Sequence, residues 1–294
     1  MQTTRLRGAP VADRMRADVA DRVDALRERG VVPTLGTVLA SDDPADERFL
    51  DLKHEACDAV GIETRDRRFA PESTTDHLAR AVASLSADPE IDAIFVQAPL
   101  PDGVDAMTVR ERVALTKDVD CFHPATLGRL VAGDPRFTPA TTAAVSRLLD
   151  AYDVPTAGAD VTVVGRSPVI GLPLANRLAQ KADRGNATVT VCHSRTDDLA
   201  AKTRGADVVV TAAGVPGLVD GDMIAEGATV VDVSATRVEA DTERGYEVVG
   251  DVDAESAEGT AGALTPVPGG VGPVTIAALL DNVVRATERQ VDGE

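Results

Sequence analysis

One lysine makes the sharpest chemical statement in the sequence. Of 30 basic residues only Lys53, Lys117, Lys181 and Lys202 are lysines; the rest are arginines. Arginine stays charged at any accessible pH, whereas a lysine amine can be tuned to give and take protons. Lys53 follows Phe49 by four residues, so helical spacing puts both on one face. Alone, such a pair is more commonly a core aromatic with a lysine snorkelling past it. Two other residues weigh toward chemistry. Gln97 lies near the end of the apolar run 91–98 (IDAIFVQA), where a polar amide needs a partner. Asp120 stands in KDVDCFHP, an irregular stretch near a domain junction. Of the three, the titratable amine is the group that could give and take a proton.

A second set points to phosphate. In VTVVGRSPVIGLP (161–173) a strand runs into Gly165, and Gly171 lies six residues on, inside the opening helix. That geometry brings backbone N–H groups and a helix N-terminus to a pyrophosphate. The spacing departs from G-x-G-x-x-G: Ser167 stands at the middle glycine, and one extra residue precedes the last. An ordinary tight strand-to-helix turn would look similar. The next strand, ending in His193, Ser194, Arg195 and Thr196, adds to the case. An NAD site usually carries an acidic residue there for the ribose 2′-hydroxyl. This acid-rich chain has none, and Arg166, Ser194 and Arg195 instead suit a 2′-phosphate. The expected cofactor is therefore NADP.

The elements that must position these residues alternate. Val11, Met15, Val19, Val23 and Leu26 recur at helical spacing, predicting a helix over 10–29. A strand at 34–40 and a helix over 44–60 follow, the helix with Pro in its first turn and Gly61 past its end. A helix over 138–152 connects to short buried strands at 161–164, 188–191, 208–212 and 229–233, with a last helix over 273–289. Residues 183–186 and 239–245 read as surface loops. Strands alternating with helices predict an α/β chain of two domains. The expected division is an N-terminal α/β catalytic domain, 1–138, completed by the helix 273–294, and a Rossmann-like domain with a parallel sheet, 139–272.

Composition narrows the partners. The 294 residues carry 48 acidic side chains, for a net charge of −18. Such a surface argues against nucleic acid and anionic membranes as partners, and it suits a protein working in concentrated salt. Cys57, Cys121 and Cys192 form no CxxC pair, and neither they nor the four histidines stand at metal-ligand spacing, so no metal is expected. Residues 1–10 hold no signal-peptide-like apolar stretch, and no run reaches the roughly 18 apolar residues of a membrane span. A cytoplasmic protein is expected.

The stretches LDLKHEACDAVGI, VQAPLP, KDVDCFHPATLGRL, VVGRSPVIGLP, TVCHSRT and TPVPGGVGPVT occur in this order along nearly the whole chain. In them the sequence resembles the bifunctional methylenetetrahydrofolate dehydrogenase/methenyltetrahydrofolate cyclohydrolase family. The resemblance implies NADP-dependent oxidation of 5,10-methylenetetrahydrofolate to the methenyl form, then hydrolysis to 10-formyltetrahydrofolate, in a homodimer. It implies Lys53 as the essential lysine, Gln97 as the glutamine beside it, and Asp120 as the aspartate holding the pterin. Phe49 would stack on the folate ring, and Pro268, Gly269 and Gly270 would line the substrate. Gly165, Arg166, Ser167, Gly171, Ser194, Arg195 and Thr236 would contact the cofactor. The chain departs from the family at Phe49, usually Tyr, at Cys121, usually Gly, and at Ser234, Ala235 and Thr236, usually Gly-Ile-Asn. PATTAA (139–144) departs from P-C-T-P-x-G. Without the phenol at position 49, a dehydrogenase with weak cyclohydrolase activity is an alternative, and a non-catalytic NADP sensor is a third reading.

Overall fold

The computed structural model describes residues 2–242 and 245–293. The chain runs β1 (Thr4–Arg5), α1 (Ala9–Glu28), β2 (Thr34–Ala40), α2 (Pro44–Ala59), β3 (Glu63–Phe69), α3 (Thr75–Ala87), β4 (Ala93–Val96), α4 (Ala106–Arg110), α5 (Pro124–Val131) and α6 (Ala140–Ala151). It continues β5 (Asp160–Val164), α7 (Gly171–Ala179), β6 (Thr188–Cys192), α8 (Leu199–Arg204), β7 (Val208–Thr211), β8 (Thr229–Asp232), β9 (Thr236–Glu239), β10 (Tyr246–Val249), α9 (Ala254–Ala257), β11 (Ala263–Leu264) and α10 (Val271–Val291). Two compact units result, Asp13–Ala140 with Ile276–Glu294, and Met1–Ala12 with Thr141–Thr275.

In the unit Asp13–Ala140 with Ile276–Glu294, a three-stranded parallel sheet has the order β3–β2–β4. Every residue of β2 is buried, as a central parallel strand requires. The run 91–98 yields a shorter strand, Ala93–Val96; just before it Asp92 still meets Thr34, its N–H donating to the Thr34 carbonyl at 3.0 Å and its carboxylate accepting from the Thr34 N–H at 2.8 Å. Its alternation sorts two faces. Ile94 and Val96 join Leu78, Val82 and Leu85 of α3 in one core, while Phe95 and Gln97 point the other way. Helix α2 starts firmly: Asp43 caps the Ala45 N–H, Pro44 begins the first turn, and Asp46 and Glu47 complement the helix dipole. Within this unit Arg22 of α1 reaches Asp281 at 2.6 Å and Glu288 at 2.7 Å, both on α10.

The other unit holds a six-stranded, all-parallel sheet in the order β1–β11–β8–β7–β5–β6. The Val-rich strands β5 and β7 both lie inside the sheet, between neighbours on either side, and are almost wholly buried. Strands β9 and β10 form a separate antiparallel hairpin. In the 239–245 loop joining them, Glu243 and Arg244 lie outside the described residues.

One boundary differs from the sequence reading. Residues 2–12 group with the six-stranded sheet rather than with 13–138. β1 adds to β11 in parallel, and the Thr3 hydroxyl donates to the Ala261 carbonyl at 2.8 Å. A two-residue strand carries no periodic signal, so its partner is decided by pairing alone. The last helix also begins earlier, at Val271, and changes unit at Ile276.

Candidate active site

Lys53 is the most unusual group in its unit. It sits on the buried side of α2, only 2% exposed, with no carboxylate within salt-bridge distance among the described residues. Its Nζ donates to Gln97 Oε1 at 3.2 Å and, more weakly, to the Phe49 carbonyl at 3.4 Å. It lies 3.3 Å from the centroid of the Phe49 ring and 4.6 Å from that of Phe95. Gln97 is fixed in turn, donating to the Ala98 carbonyl at 2.7 Å. Burial drives the Lys53 amine down to about 7, against the pull of the Asp120 and Asp46 carboxylates. At neutral pH this amine is poised to hold or release a proton.

Asp120 arrives by an irregular path that the backbone holds tightly. The Ile94 N–H donates to the Lys117 carbonyl at 2.8 Å, laying the segment after α4 beside β4. The buried Asp118 carboxylate accepts from the Phe122 and His123 N–H groups at 3.1 and 3.0 Å. Asn282 of α10 donates to the Val119 and Thr138 carbonyls, both at 2.8 Å. Cys121 takes a left-handed φ of 60°, which turns the chain just after Asp120. Burial pushes the Asp120 carboxyl up to about 7, opposed by the Lys53 charge and reinforced by Asp118. Asp118, Asn282 and Phe95 escape a reading of the sequence. Asn282 and Phe95 meet this segment and Lys53 only through the fold, whereas Asp118 works locally, through backbone groups four and five residues on.

The cofactor candidates collect at the C-terminal ends of the six-stranded sheet, where open α/β sheets bind nucleotides. Val164 and Cys192 are registered partners in β5 and β6, so Arg166 and Ser194, two residues past each, leave adjacent strands side by side. Arg166, Ser194 and Arg195 are exposed. The His193–Thr196 turn is closed by Thr196 N–H donating to the His193 carbonyl at 2.8 Å. Gly165 adopts φ 139°, and a Cβ there would strike the Ala212 carbonyl. A Cβ on Gly171 would strike the Gly165 carbonyl. Ser167 accepts through Oγ from Ile170 N–H at 3.1 Å, ordering the turn into α7. This close backbone packing and the exposed arginines fit a phosphate-bearing dinucleotide.

A further residue unforeseen from the sequence is Asp251, fully buried. Its carboxylate accepts from Ala213 N–H at 2.6 Å, Val215 N–H at 2.7 Å and the Ser234 hydroxyl at 2.7 Å. It thereby staples the loop after β7, at the same sheet end, to the segment after β8. Thr236 stands as the first residue of β9, opposite Val249, and is half-buried. Pro268, Gly269 and Gly270 lie in the turn before α10. Gly8 N–H donates to the Gly269 carbonyl at 2.8 Å, and a Cβ on Gly8 would strike the Gly270 carbonyl. Lys53, Gln97, Phe49 and Asp120 thus belong to one unit, and the cofactor candidates with Pro268, Gly269 and Gly270 to the other. Among the described residues no group of three or more His, Cys, Asp or Glu could hold a metal ion, and no helix is long and apolar enough to cross a membrane.

Known proteins match along the whole chain. Residues 6–120 match the tetrahydrofolate dehydrogenase/cyclohydrolase catalytic domain, and residues 139–291 match the NAD(P)-binding domain of that family. The bifunctional protein FolD of Natronomonas pharaonis is 53% identical over 285 residues, covering 97% of this chain and 96% of that one. That of Halobacterium salinarum is 53% identical over 283 residues, covering 96% and 95%. A Trypanosoma brucei methylenetetrahydrofolate dehydrogenase-cyclohydrolase, solved with NADP and an inhibitor, superposes with a TM-score of 0.93 at 36% identity, covering 99% of each chain. The chain therefore belongs to the tetrahydrofolate dehydrogenase/cyclohydrolase family and is a bifunctional enzyme, a dehydrogenase and a cyclohydrolase.

Proposed function

We propose that this enzyme oxidises 5,10-methylenetetrahydrofolate with NADP and hydrolyses the methenyl product to 10-formyltetrahydrofolate, with Lys53 as the proton carrier of the second step. The observation that carries this reading is the buried Lys53 amine, held by Gln97 Oε1 at 3.2 Å and tuned to about 7. Bound NADP supplies the hydride acceptor for the methylene carbon. Arg166, Ser194 and Arg195 hold its 2′-phosphate, and the Gly165, Ser167 and Gly171 turn admits its pyrophosphate. The first step needs alignment more than a base. Asp120 accepts from pterin nitrogens, the free face of Phe49 packs on the folate ring, and the turn at Pro268, Gly269 and Gly270 borders the substrate.

The methenyl product is an amidinium-like cation that water attacks at its one-carbon centre. The neutral Lys53 amine takes the proton that the attacking water loses. It returns that proton to N5 of the folate as the carbon–N5 bond breaks, while the proton of the new hydroxyl passes to solvent, leaving the neutral formyl group on N10. Gln97 keeps the amine in place throughout. The unit Asp13–Ala140 with Ile276–Glu294 is read as the folate unit, and the other as the nucleotide unit. We further infer a cytoplasmic homodimer adapted to concentrated salt.

A coupled assay in molar salt tests the reading. Methylenetetrahydrofolate and NADP are supplied, and NADPH and methenyl absorbance are followed together. NADPH formation with methenyl consumed faster than its uncatalysed hydrolysis supports both steps. Methenyl accumulating at the uncatalysed rate would refute the hydrolytic step, and no NADPH would refute the first. Lys53→Ala is expected to lose hydrolysis while still binding NADP. Sedimentation velocity reads the oligomeric state.

A further inference from the structure

Phe95 has no role in the chemistry described so far, yet it lies on the side of β4 that faces it. The strand's alternation sends Ile94 and Val96 into the core against α3 and turns Phe95 and Gln97 together toward Lys53. Phe95 is only 6% exposed, whereas Phe49 is 40% exposed. The Lys53 amine therefore lies against a buried ring from the sheet and an exposed ring from its own helix, at 4.6 and 3.3 Å.

We propose that Phe95 is a positioning residue for hydrolysis, forming with Phe49 a two-ring seat that holds the Lys53 amine against Gln97 Oε1. The proposal rests on the reading of Lys53 as proton carrier. A lysine stem has four rotatable bonds, so two long hydrogen bonds, at 3.2 and 3.4 Å, leave its head room to swing. Ring faces attract the ammonium through their quadrupole, most strongly where water is excluded. With Gln97 Oε1 and the Phe49 carbonyl taking two N–H groups, the ammonium has a remaining hydrogen for a ring face. The neutral amine would instead direct a lone pair, so the seat favours the protonated form. It opposes burial, which favours the neutral form. The charged and titratable groups facing Lys53 are Asp46, His54 and Cys57 on α2 and Asp120 on the segment after α4. β4 contributes only the uncharged Phe95 and Gln97. In Phe49 the second ring face remains for substrate, so one side chain would touch both the amine and the folate.

The test is the pH-rate profile of methenyltetrahydrofolate hydrolysis by the full-length enzyme in molar salt. Phe95→Leu and Phe95→Met remove the buried ring and keep an apolar side chain of similar reach. Their kcat is expected to fall about 3- to 10-fold, with KM unchanged within about twofold. The Lys53 midpoint is expected to move to lower pH by ~0.5 unit. Phe49→Leu, at an exposed position that does not threaten folding, should move the same midpoint the same way by ~1 unit, because its ring is closer. A midpoint unmoved in the folded variants, whatever happens to kcat, would overturn the seat, since a packing role alone lowers rate without changing titration. Lys53→Ala separates the two readings. Persistent hydrolysis there refutes the proton carrier itself, whereas its loss combined with unshifted Phe95 variants refutes only the seat.

Discussion

Replacing Asp251 by Asn tests how the cofactor end of the sheet is held. The substitution keeps shape and removes one acceptor oxygen. Asp251 Oδ2 takes the Ala213 N–H and the Ser234 hydroxyl, and Oδ1 takes the Val215 N–H. An Asn oxygen can replace only one of these positions. The better arrangement keeps Ala213 and Ser234 and points an amide N–H at the Val215 N–H. One bond to a charged acceptor is then lost, at roughly 1.5 to 3 kcal/mol, and the others lose their charge assistance. A relief offsets part of this cost. The Asp232 carboxyl lies above its usual range, chiefly through burial and lastly through the Asp251 charge. The net loss is about 2 kcal/mol. Thermal unfolding in molar salt should show Tm lower by roughly 4 to 8 °C. The loosened loop after β7 should raise KM for NADP about tenfold while hydrolysis of supplied methenyltetrahydrofolate stays near its original rate. An unchanged Tm together with an unchanged KM for NADP would refute the staple.

Three other perturbations follow from the site and the surface. Arg166→Ala and Arg195→Ala should each raise KM for NADP about 10- to 100-fold, with KM for NAD nearly unchanged, in parallel steady-state assays. Lys53→Met should abolish hydrolysis yet stabilise the fold. Because the folded amine titrates near 7 and an unfolded one near 10.5, the unfolded chain binds more protons between those values. The resulting penalty is absent above pH 10.5, grows as pH falls and is complete below pH 7, so the gain should be roughly 3 to 5 kcal/mol at pH 6 and vanish near pH 11 by chemical denaturation. Removing salt should lower both Tm and activity, because a net charge of −18 repels itself and both anionic substrates once screening is lost.

The long, strongly patterned elements were legible in the residues. Strand Thr34–Ala40, the helices that became α1, α2 and α10, and the Val-rich strands of the six-stranded sheet all announce themselves by period or by composition. β3 did not. Its sequence ETRDRRF has a single apolar residue and so no apolar pattern, and it is a strand because β2 offers it a complete parallel ladder. As an edge strand its charges, such as Arg68 with Asp51 at 2.9 Å, reach solvent and guard against pairing with another sheet. β1 and β11 are two residues each and exist only through each other and β8.

The same divide runs through the site. Residue type and local spacing determined which groups could do the chemistry: a rare titratable lysine, an amide ending an apolar run, a carboxylate in an irregular segment, glycines after a strand, and arginines where an acid would favour NAD. Those are properties of single residues and near neighbours. What only the tertiary structure decided is how each group is held and tuned. The fall of the Lys53 amine to about 7 comes from burial, and burial is a sum over elements distant in sequence. Phe95, Asn282 and Asp251 hold reactive or nucleotide-facing segments from far along the chain, 36 residues away for Val215 N–H to Asp251 and 163 away for Asn282 to Val119. Hydrogen bonds and ring contacts act over a few ångströms, so no local pattern encodes them until the chain has folded.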